Sequence, residues 1–203
     1  MNIVFDFGGV LLRWQPVEFM PRLLPRLATD AAATQSLVRD FFEGFDGDWG
    51  EFDRGRIDAD GLAGRIARRI GITAAEARFV IDGVVDELTP LADSVDLLRR
   101  LHARGHGLFF LSNMPLSYAA VLESRNDFLG LFRNGLFSSR VGLVKPEPAL
   151  YELAITTFGV DPCETIFIDD VRHNLDAAAS FGWRGLLFRD AAQCALALAA
   201  WGA

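Results

Sequence analysis

The sequence has few cysteines and no long apolar run. Its two cysteines, Cys163 and Cys194, are too few for a disulfide framework or a four-thiolate metal site. This scarcity favours a reducing compartment, and we expect a cytoplasmic protein. No uninterrupted apolar run reaches the ~18 residues that a membrane-spanning helix requires, so a membrane partner is not expected.

The sequence is also poor in basic residues. It carries 20 Lys and Arg against 27 Asp and Glu, which gives a net charge of −7. Its one basic patch is the short helical group Arg65, Arg68 and Arg69. Nucleic acids and anionic membranes bind proteins through clustered Lys and Arg, so the composition argues against both as partners.

The chain does contain enough apolar material for a folded core. Of its 203 residues, 51% are hydrophobic and 23% are charged, which is typical of globular rather than disordered proteins. At this size, folding buries about 70% of the surface of the extended chain, so a core forms without disulfides or metals. The length fits one domain or two small ones.

Short apolar segments bounded by Gly, Asp or Asn predict four buried strands of a parallel sheet. They are residues 2–7, 107–112, 165–169 and 184–189. Helical patterns alternate with these strands or follow them, at residues 92–103, 116–123, 146–158, 174–181 and 191–200. This alternation predicts an α/β fold in which helices cover both faces of a Rossmann-like parallel sheet.

Between residues 14 and 88 the strand signal disappears. Only helical patterns remain there, at residues 16–27, 34–42, 59–70 and 73–87. Asp58, and Thr73 with Glu76 three residues later, are typical helix N-caps. A stretch of about 75 residues is too long for a loop between two strands. We therefore predict a small α-helical domain, residues 14–88, inserted into a core of residues 1–13 and 89–203, with a return point at Thr89-Pro90.

Polar residues stand where three of the predicted strands end and where one helix begins. Asp6 is followed by glycines that let the backbone approach a ligand closely. The other polar residues are Ser112, Asn113, Lys145, Asp169, Asp170 and Asn174. Each of them alone is more often a cap, turn or surface residue. In an open parallel sheet, however, the carboxyl ends of the strands border the binding crevice, so we expect these side chains to converge.

In this order the residues resemble the four motifs of the haloacid dehalogenase superfamily. The motifs are Asp6-x-Gly-Gly-Val, Leu-Ser112-Asn113, Gly142-Leu-Val-Lys145-Pro-Glu-Pro and Ile-Phe-Ile-Asp169-Asp170-x-x-x-Asn174. The helical insertion is similar to the small cap domain of that superfamily, and Phe52-Asp-Arg-Gly55-Arg-Ile resembles a cap segment of its phosphatases. Within the superfamily the chain looks most like the sugar-phosphate phosphatases, the branch that includes glucose-1-phosphate phosphatases.

The resemblance implies a Mg²⁺-dependent phosphatase that acts on a small phosphorylated metabolite, such as a sugar-1-phosphate. Asp6 would be the nucleophile and form an aspartyl-phosphate, which water then hydrolyses. Asp6, Asp170 and the backbone carbonyl of Gly8 would bind Mg²⁺, because hard cations prefer oxygen ligands. Asp169 and Asn174 would orient these metal ligands.

The resemblance also implies a set of phosphate-binding residues. The phosphate oxygens would be held by Gly9, Ser112, the Asn113 amide and Lys145. Ser112 and Lys145 would also be catalytic, because they stabilise the negative charge that is redistributed during phosphoryl transfer.

One position departs from the superfamily pattern. Many of its phosphatases carry a second Asp two residues after the nucleophile, which protonates the leaving alcohol and activates water. This chain has Gly8 there, which cannot transfer a proton. We expect substrates with a good leaving group or with a proton of their own, since general acid help is worth 10²–10⁴-fold. His173 is a candidate proton donor, but an exposed loop histidine is the favoured interpretation.

Two other functions remain open. A metal-independent 2-haloacid dehalogenase uses the same aspartate to attack carbon and also lacks the second Asp. Without a cation, however, the adjacent Asp169 and Asp170 would repel each other near Asp6. Dehalogenases usually have an aromatic residue and Thr where this chain has Gly8 and Val10. A non-catalytic binding protein is the third possibility, and the complete set of motif residues argues against it.

Substrate specificity would depend on the helical insertion. Its candidate substrate-facing residues are Arg13, Trp14, Phe45, Trp49 and Arg54. The same side chains can instead pack the helices together. For Trp14 and Trp49 we favour a position in the core, because large aromatic side chains are mostly buried.

Overall fold

The computed structural model describes all 203 residues and contains one parallel sheet of five strands. The strands are β1 (Asn2–Phe5), β2 (Gly107–Ser112), β3 (Asn134–Phe137), β4 (Thr165–Asp169) and β5 (Arg184–Leu187). Their order across the sheet is β3-β2-β1-β4-β5, and every neighbouring pair is parallel. The predicted α/β class and the four predicted strands are confirmed, and β1 lies at the centre of the sheet.

The sequence does not predict β3, because this strand lacks a continuous apolar run. It lies at the edge of the sheet, and of its four residues only Phe137 is buried. A Cβ on Gly135 would overlap the Phe110 ring of β2. The glycine therefore makes room for an aromatic ring of the neighbouring strand, a reason that becomes visible only once the two strands are paired.

Eleven helices accompany the sheet. Five of them follow β1, and we call these five the helical insertion: α1 (Pro16–Leu23), α2 (Ala31–Phe42), α3 (Asp48–Asp53), α4 (Ala59–Ile70) and α5 (Ala74–Glu87). The other six are α6 (Ala92–Ala103), α7 (Leu116–Arg125), α8 (Ser138–Val141), α9 (Pro148–Phe158), α10 (Arg172–Ala179) and α11 (Ala191–Ala200). No helix combines the length and the apolar composition that a bilayer span requires.

The helix ends follow local sequence chemistry. Asp58 caps α4, and Thr73 and Glu76 form a complete capping box at the start of α5, which confirms both N-cap predictions. Helix α1 ends earlier than predicted, because Leu24 precedes Pro25 and a residue before proline disfavours the helical conformation. The short helices α3 and α8 are not predicted, since four to six residues are too few to show a helical period.

The apolar core lies on both faces of the sheet. Side chains alternate along β1, so that Ile3 and Phe5 belong to one cluster and Val4 to the other. The larger cluster contains 41 buried residues and continues from the sheet into the helical insertion, where it includes Phe19 and Val80. The smaller cluster of 12 residues packs the opposite face against α9 and α10. The helical insertion is thus joined to the sheet by a continuous apolar core.

The chain enters and leaves the helical insertion through two adjacent segments. The N–H of Arg13 donates to the carbonyl of Thr89 at 2.8 Å, and Leu12 and Pro90 form an antiparallel bridge. The predicted return point at Thr89-Pro90 lies in this paired segment. The two connections therefore support each other at one edge of the site described below.

Candidate active site

The candidate site lies at the carboxyl ends of β1, β2 and β4. Asp6 follows β1, and its N–H donates to the carbonyl of Ile168 at 2.9 Å, so the pairing with β4 extends beyond the end of β1. Ser112 is the last residue of β2, and Asp169 is the last residue of β4. Because parallel strands end at the same edge of the sheet, residues far apart in the sequence meet here.

Lys145 lies between two carboxylates. Its Nζ is 2.8 Å from Oδ1 of Asp6 and 2.7 Å from Oδ2 of Asp169. The side chains of Lys145 and Asp169 are 2% and 0% exposed, and that of Asp6 is 10% exposed. Burial lowers the pKa of Lys145, but the two carboxylates raise it above its ordinary value, so this side chain is positively charged. It is the only lysine in the chain.

Asp169 is held by donors from the protein itself. Nδ2 of Asn174 donates to its two oxygens at 3.1 and 3.0 Å, and the N–H of Val171 donates to Oδ1 at 2.8 Å. Together with Lys145 these donors engage both carboxylate oxygens. Asp169 therefore fixes the lysine and the first turn of α10, and Asn174 acts on the site through Asp169.

The side chain of Asn113 binds the backbone of Lys145. Its Oδ1 accepts a hydrogen bond from the Lys145 N–H at 2.7 Å, and its Nδ2 donates to the Lys145 carbonyl at 3.0 Å. These two bonds hold the loop before α9 against the end of β2. The sequence does not predict this positioning contact. Because these bonds engage the side-chain amide of Asn113, its backbone N–H is the group that could make the predicted phosphate contact.

The two glycines after β1, Gly8 and Gly9, differ in the space available for a side chain. Gly9 has a φ of +74°, a left-handed conformation that favours glycine, and a Cβ there would overlap Oδ2 of Asp170. Gly9 thus lets the Asp170 carboxylate approach the loop that follows β1. A Cβ on Gly8 would lie 3.8 Å from its nearest neighbour, Cβ of Trp14. Packing therefore explains the glycine at position 9 and leaves space for a side chain at position 8.

The carboxylates fit a hard cation. Oxygen atoms of Asp6, Asp169 and Asp170 all lie within 4.8 Å of one another. Asp169 is engaged with donors from the protein, whereas Asp170 is only partly buried and reaches solvent, and the carbonyl oxygen of Gly8 accepts no hydrogen bond. Asp6, Asp170 and Gly8 therefore offer an all-oxygen donor set of the kind that suits Mg²⁺.

The clustered carboxylates perturb each other's ionisation. Burial raises the pKa of Asp6 to about 7 against the lowering effect of Lys145, and the charges of Asp169 and Asp170 add to the rise. Partial burial and the Asp169 charge raise the pKa of Asp170 to about 6. A divalent cation between them would favour their charged forms and lower both values.

A cavity of about 300 Å³ lies between these residues and the helical insertion. Asp6, Gly8, Asn113, Lys145 and Asp170 line it, while Gly9, Ser112 and Asp169 do not. Many of its other lining residues are apolar and aromatic, among them Trp14, Phe42, Phe45, Trp49, Leu88 and Tyr118. The charged residues thus meet a largely apolar chamber.

The five candidate residues of the helical insertion separate into two groups. Trp14, Phe45 and Trp49 line the cavity, whereas Arg13 and Arg54 do not. Trp49 is 8% exposed and also packs against a neighbouring aromatic ring at a centroid distance of 4.6 Å, so its predicted core position is confirmed. Trp14 is only partly buried. Arg13 is paired with a glutamate at the surface.

Asp53, the last residue of α3, also lines the cavity, although the sequence does not single it out. It is 9% exposed, and its carboxylate makes no hydrogen bond or ion pair within the chain. Burial raises its pKa to about 8, against the lowering effects of Lys145 and Arg54. The one signal in the sequence was its place in the segment Phe52-Asp-Arg-Gly55.

His173, considered above as a proton donor, lies in the first turn of α10. It is exposed and does not line the cavity. Its ring stacks on that of Phe45 at a centroid distance of 6.0 Å. His173 is therefore a surface residue that contacts the helical insertion, in agreement with the favoured interpretation.

The chain as a whole matches a known hydrolase family. The family model of haloacid dehalogenase-like hydrolases matches residues 1–182, and the chain belongs to this family. A similar curated protein is sesquiterpene phosphatase astK of Aspergillus oryzae, 29% identical over 188 residues, which are 92% of this chain and 89% of that protein. The chain spans between 12% and 57% of the length of seven further curated relatives.

Solved structures share the fold. A haloacid dehalogenase family enzyme of Bacteroides thetaiotaomicron, in complex with magnesium and inorganic phosphate, has a TM-score of 0.72 at 20% identity, with 93% of each chain covered. The L-2-haloacid dehalogenase of Xanthobacter autotrophicus has a TM-score of 0.67 at 21% identity, with 91% of this chain and 75% of that chain covered. At about 20% identity, the fold is shared by a protein that binds phosphate and by one that binds a haloacid. The reaction of this chain therefore has to be argued from its own site residues.

Proposed function

We propose that this protein is a Mg²⁺-dependent phosphatase that hydrolyses a small phosphate monoester through an aspartyl-phosphate on Asp6. The observation that carries the proposal is the charge of the site. Three carboxylates with oxygens within 4.8 Å of one another face a single ammonium group, that of Lys145. Fully ionised, this group has an excess of negative charge and would repel a phosphate dianion. A bound divalent cation removes that repulsion, whereas a metal-free dehalogenase would have to keep it.

The residues of the chain have separable roles in this reaction. The free oxygen of the Asp6 carboxylate attacks phosphorus, the bond to the leaving oxygen breaks, and water later cleaves the acyl phosphate. Lys145 holds the carboxylate of Asp6 in place and faces the phosphate oxygens as a point charge. Mg²⁺, held by Asp6, Asp170 and the carbonyl of Gly8, supplies positive charge that neutralises the phosphate.

We further propose that residues 14–88 act as a cap domain over a core of residues 1–13 and 89–203. The cavity lies between the two, so the reacting group would be enclosed by residues of both. Exclusion of water strengthens electrostatic interactions with the phosphate and limits side reactions. The free thiols of Cys163 and Cys194 support a cytoplasmic place for this activity.

The cavity walls favour an apolar organic group over a sugar. A sugar-1-phosphate would bring several hydroxyl groups into a cavity in which Trp14, Phe42 and Trp49 form part of the wall, and these aromatic rings compensate poorly for lost hydration. The hydroxyl of Tyr118 is already used, since it donates to the carbonyl of Ile81 at 2.5 Å. The relative named as a sesquiterpene phosphatase points in the same direction. We therefore expect a compact, largely apolar alcohol as the product.

The decisive experiment measures phosphate release from a panel of aryl, terpenyl and sugar phosphates, with Mg²⁺ and with a chelator. We expect turnover that depends on Mg²⁺, that is lost in Asp6→Asn, and that is fastest for apolar esters. Asp176→Asn is the matched control, because this exposed residue of α10 does not line the cavity. Halide release from 2-haloacids without metal would instead establish the dehalogenase. Absence of turnover with every substrate would favour a binding protein.

A further inference from the structure

We propose that Asp53 of the helical insertion protonates the leaving alcohol and then takes a proton from the attacking water, in place of the acid missing at Gly8. The proposal rests on the phosphatase function proposed above. It assigns to the helical insertion a part in the reaction itself, in addition to enclosing the substrate.

The end of α3 is fixed to the sheet-containing part of the protein. The carbonyl of Asp53 accepts a hydrogen bond from Oγ of Ser138 at 2.6 Å, and the same Ser138 Oγ accepts a hydrogen bond from the N–H of Met114 at 2.8 Å. The next residue, Arg54, donates to Oε1 of Glu147 through Nη2 at 2.5 Å and Nε at 3.1 Å. Glu147 belongs to the loop that carries the site lysine. Asp53 is therefore anchored, through its own carbonyl and through Arg54, to segments that form the site.

The carboxyl group of Asp53 lacks the partners that the other buried carboxylates of the site have. Asp6 is paired with Lys145, and Asp169 has Lys145, Asn174 and a backbone N–H. A carboxyl group that is buried without donors is more stable in its neutral form. Asp53 thus holds a proton at neutral pH and lines the same cavity as Asp6 and Lys145.

Other groups in the cavity do not fill this role. Tyr118 lines it, but its hydroxyl proton is engaged with the carbonyl of Ile81, and burial raises its pKa well above the ordinary value. Lys145 is held by two carboxylates that favour its charged form. His173 lies outside the cavity. Asp53 is the remaining acid that is not already placed among the metal ligands.

The proton transfers balance over the two steps. In the first step Oδ of Asp6 forms a bond to phosphorus, the bond between phosphorus and the leaving oxygen breaks, and that oxygen takes the proton of Asp53 to leave as an alcohol. In the second step the Asp53 carboxylate takes a proton from water while the water oxygen bonds to phosphorus. The bond between phosphorus and Oδ of Asp6 breaks, its electron pair returns to the Asp6 carboxylate, inorganic phosphate leaves, and Asp53 is protonated again.

The test compares two esters in the wild type and in Asp53→Asn, with Mg²⁺ present. An aryl phosphate releases a phenolate that needs no proton, whereas an alkyl phosphate releases an alkoxide that does. Asp53→Asn should lower kcat/KM for the alkyl ester by 10²–10⁴-fold, the usual contribution of a general acid, and that for the aryl ester by less than ~10-fold. With the aryl ester a burst should precede a slower steady state, because hydrolysis of the aspartyl-phosphate has lost its base.

Asp46→Asn is the matched control. Asp46 belongs to the same insertion but is exposed and does not line the cavity, so kcat/KM should stay unchanged for both esters. Equal losses for the two esters in Asp53→Asn, or no loss for the alkyl ester, would overturn the assignment of Asp53 while leaving the phosphatase function intact. No turnover of either ester by the wild type would refute the phosphatase function, and the role of Asp53 with it.

Two further variants address the chance that Asp53→Asn is poorly folded. Asp53→Gly, assayed with added formate, should regain turnover of the alkyl ester specifically, because a small acid can occupy the space of the side chain. Gly8→Asp in the Asp53→Asn background should also recover alkyl turnover, since position 8 has room for a side chain. Failure of both rescues in variants with normal thermal unfolding would contradict the proposal.

Discussion

Replacement of Asp53 by Asn should make the protein more stable, and the size of the effect follows from the ionisation of this residue. Burial raises the pKa of Asp53 to about 8. In the unfolded chain the same group titrates near pH 4, so between these values the native state binds a proton that the unfolded state has released. Each unit of pKa difference is worth about 1.4 kcal/mol, and the native state is therefore penalised by about 4 kcal/mol at pH 7.

The sign of the pH dependence follows from the same linkage. Because the native state binds more protons than the unfolded state between about pH 4 and pH 8, this group makes the free energy of unfolding fall as the pH rises through that window. Asn has no proton to hold. The free energy of unfolding of Asp53→Asn minus that of the wild type should be close to zero below about pH 4. It should rise by at most ~1.4 kcal/mol per pH unit and level off above about pH 8.

Urea unfolding of both proteins at several pH values, with a chelator present to exclude bound metal, measures this difference. We expect Asp53→Asn to be more stable by about 2–4 kcal/mol at pH 7, the lower end allowing for water in the cavity. The control Asp46→Asn should change the free energy of unfolding by less than ~0.5 kcal/mol, because its side chain is exposed. A stability difference that is absent or independent of pH would refute the idea that Asp53 is held neutral by burial.

Three further predictions concern the charges and the cation. Lys145→Met leaves two buried carboxylates without their ammonium partner and should cost about 3–5 kcal/mol in metal-free thermal unfolding, whereas Arg99→Met, which removes exposed ion pairs, should cost less than ~1 kcal/mol. Gly9→Ala would place a Cβ against the carboxylate of Asp170 and should weaken Mg²⁺ binding, measured by calorimetry, at least tenfold. Gly105→Ala is its control: Gly105 has a similar φ of +80° but no neighbour within 4 Å, so Mg²⁺ binding should be unchanged. Mg²⁺ at 100 times its Kd should stabilise the wild type by about 2.7 kcal/mol, an effect that a chelator abolishes and that should be largely absent in Asp170→Asn; equal stabilisation of that variant would contradict the proposed ligand.

Much of the fold could be predicted because its central strands are buried on both faces. β1, β2 and β4 are continuous apolar runs that end in polar residues, and such runs are readily recognised. The edge strand β3 could not be recognised in this way, since only Phe137 of its four residues is buried. Gly135 in this strand is explained by the Phe110 ring of β2, a contact between residues far apart in the sequence.

The roles of individual site residues were predictable to different degrees. The positions of Asp6 and Asp170 follow from the rule that parallel strands end at one edge of the sheet, whereas Lys145 lies in the loop before α9 and reaches Asp6 and Asp169 only in the folded chain. The sequence does not predict that the Asn113 side chain forms two hydrogen bonds with the backbone of Lys145, because the residues around Asn113 would look the same if it served a turn or bound a ligand. It also left open which aromatic residues of the helical insertion face the cavity.

The sequence by itself determined which chemical groups stand at the strand ends, because all strands of a parallel sheet end at the same edge. Only the tertiary structure decided that Asp53 joins them. Whether a carboxyl group is buried, and whether it has a partner, depends on the packing of α3 against Ser138 and Glu147. These long-range contacts leave no local pattern in the chain, yet they determine the charge of the residue.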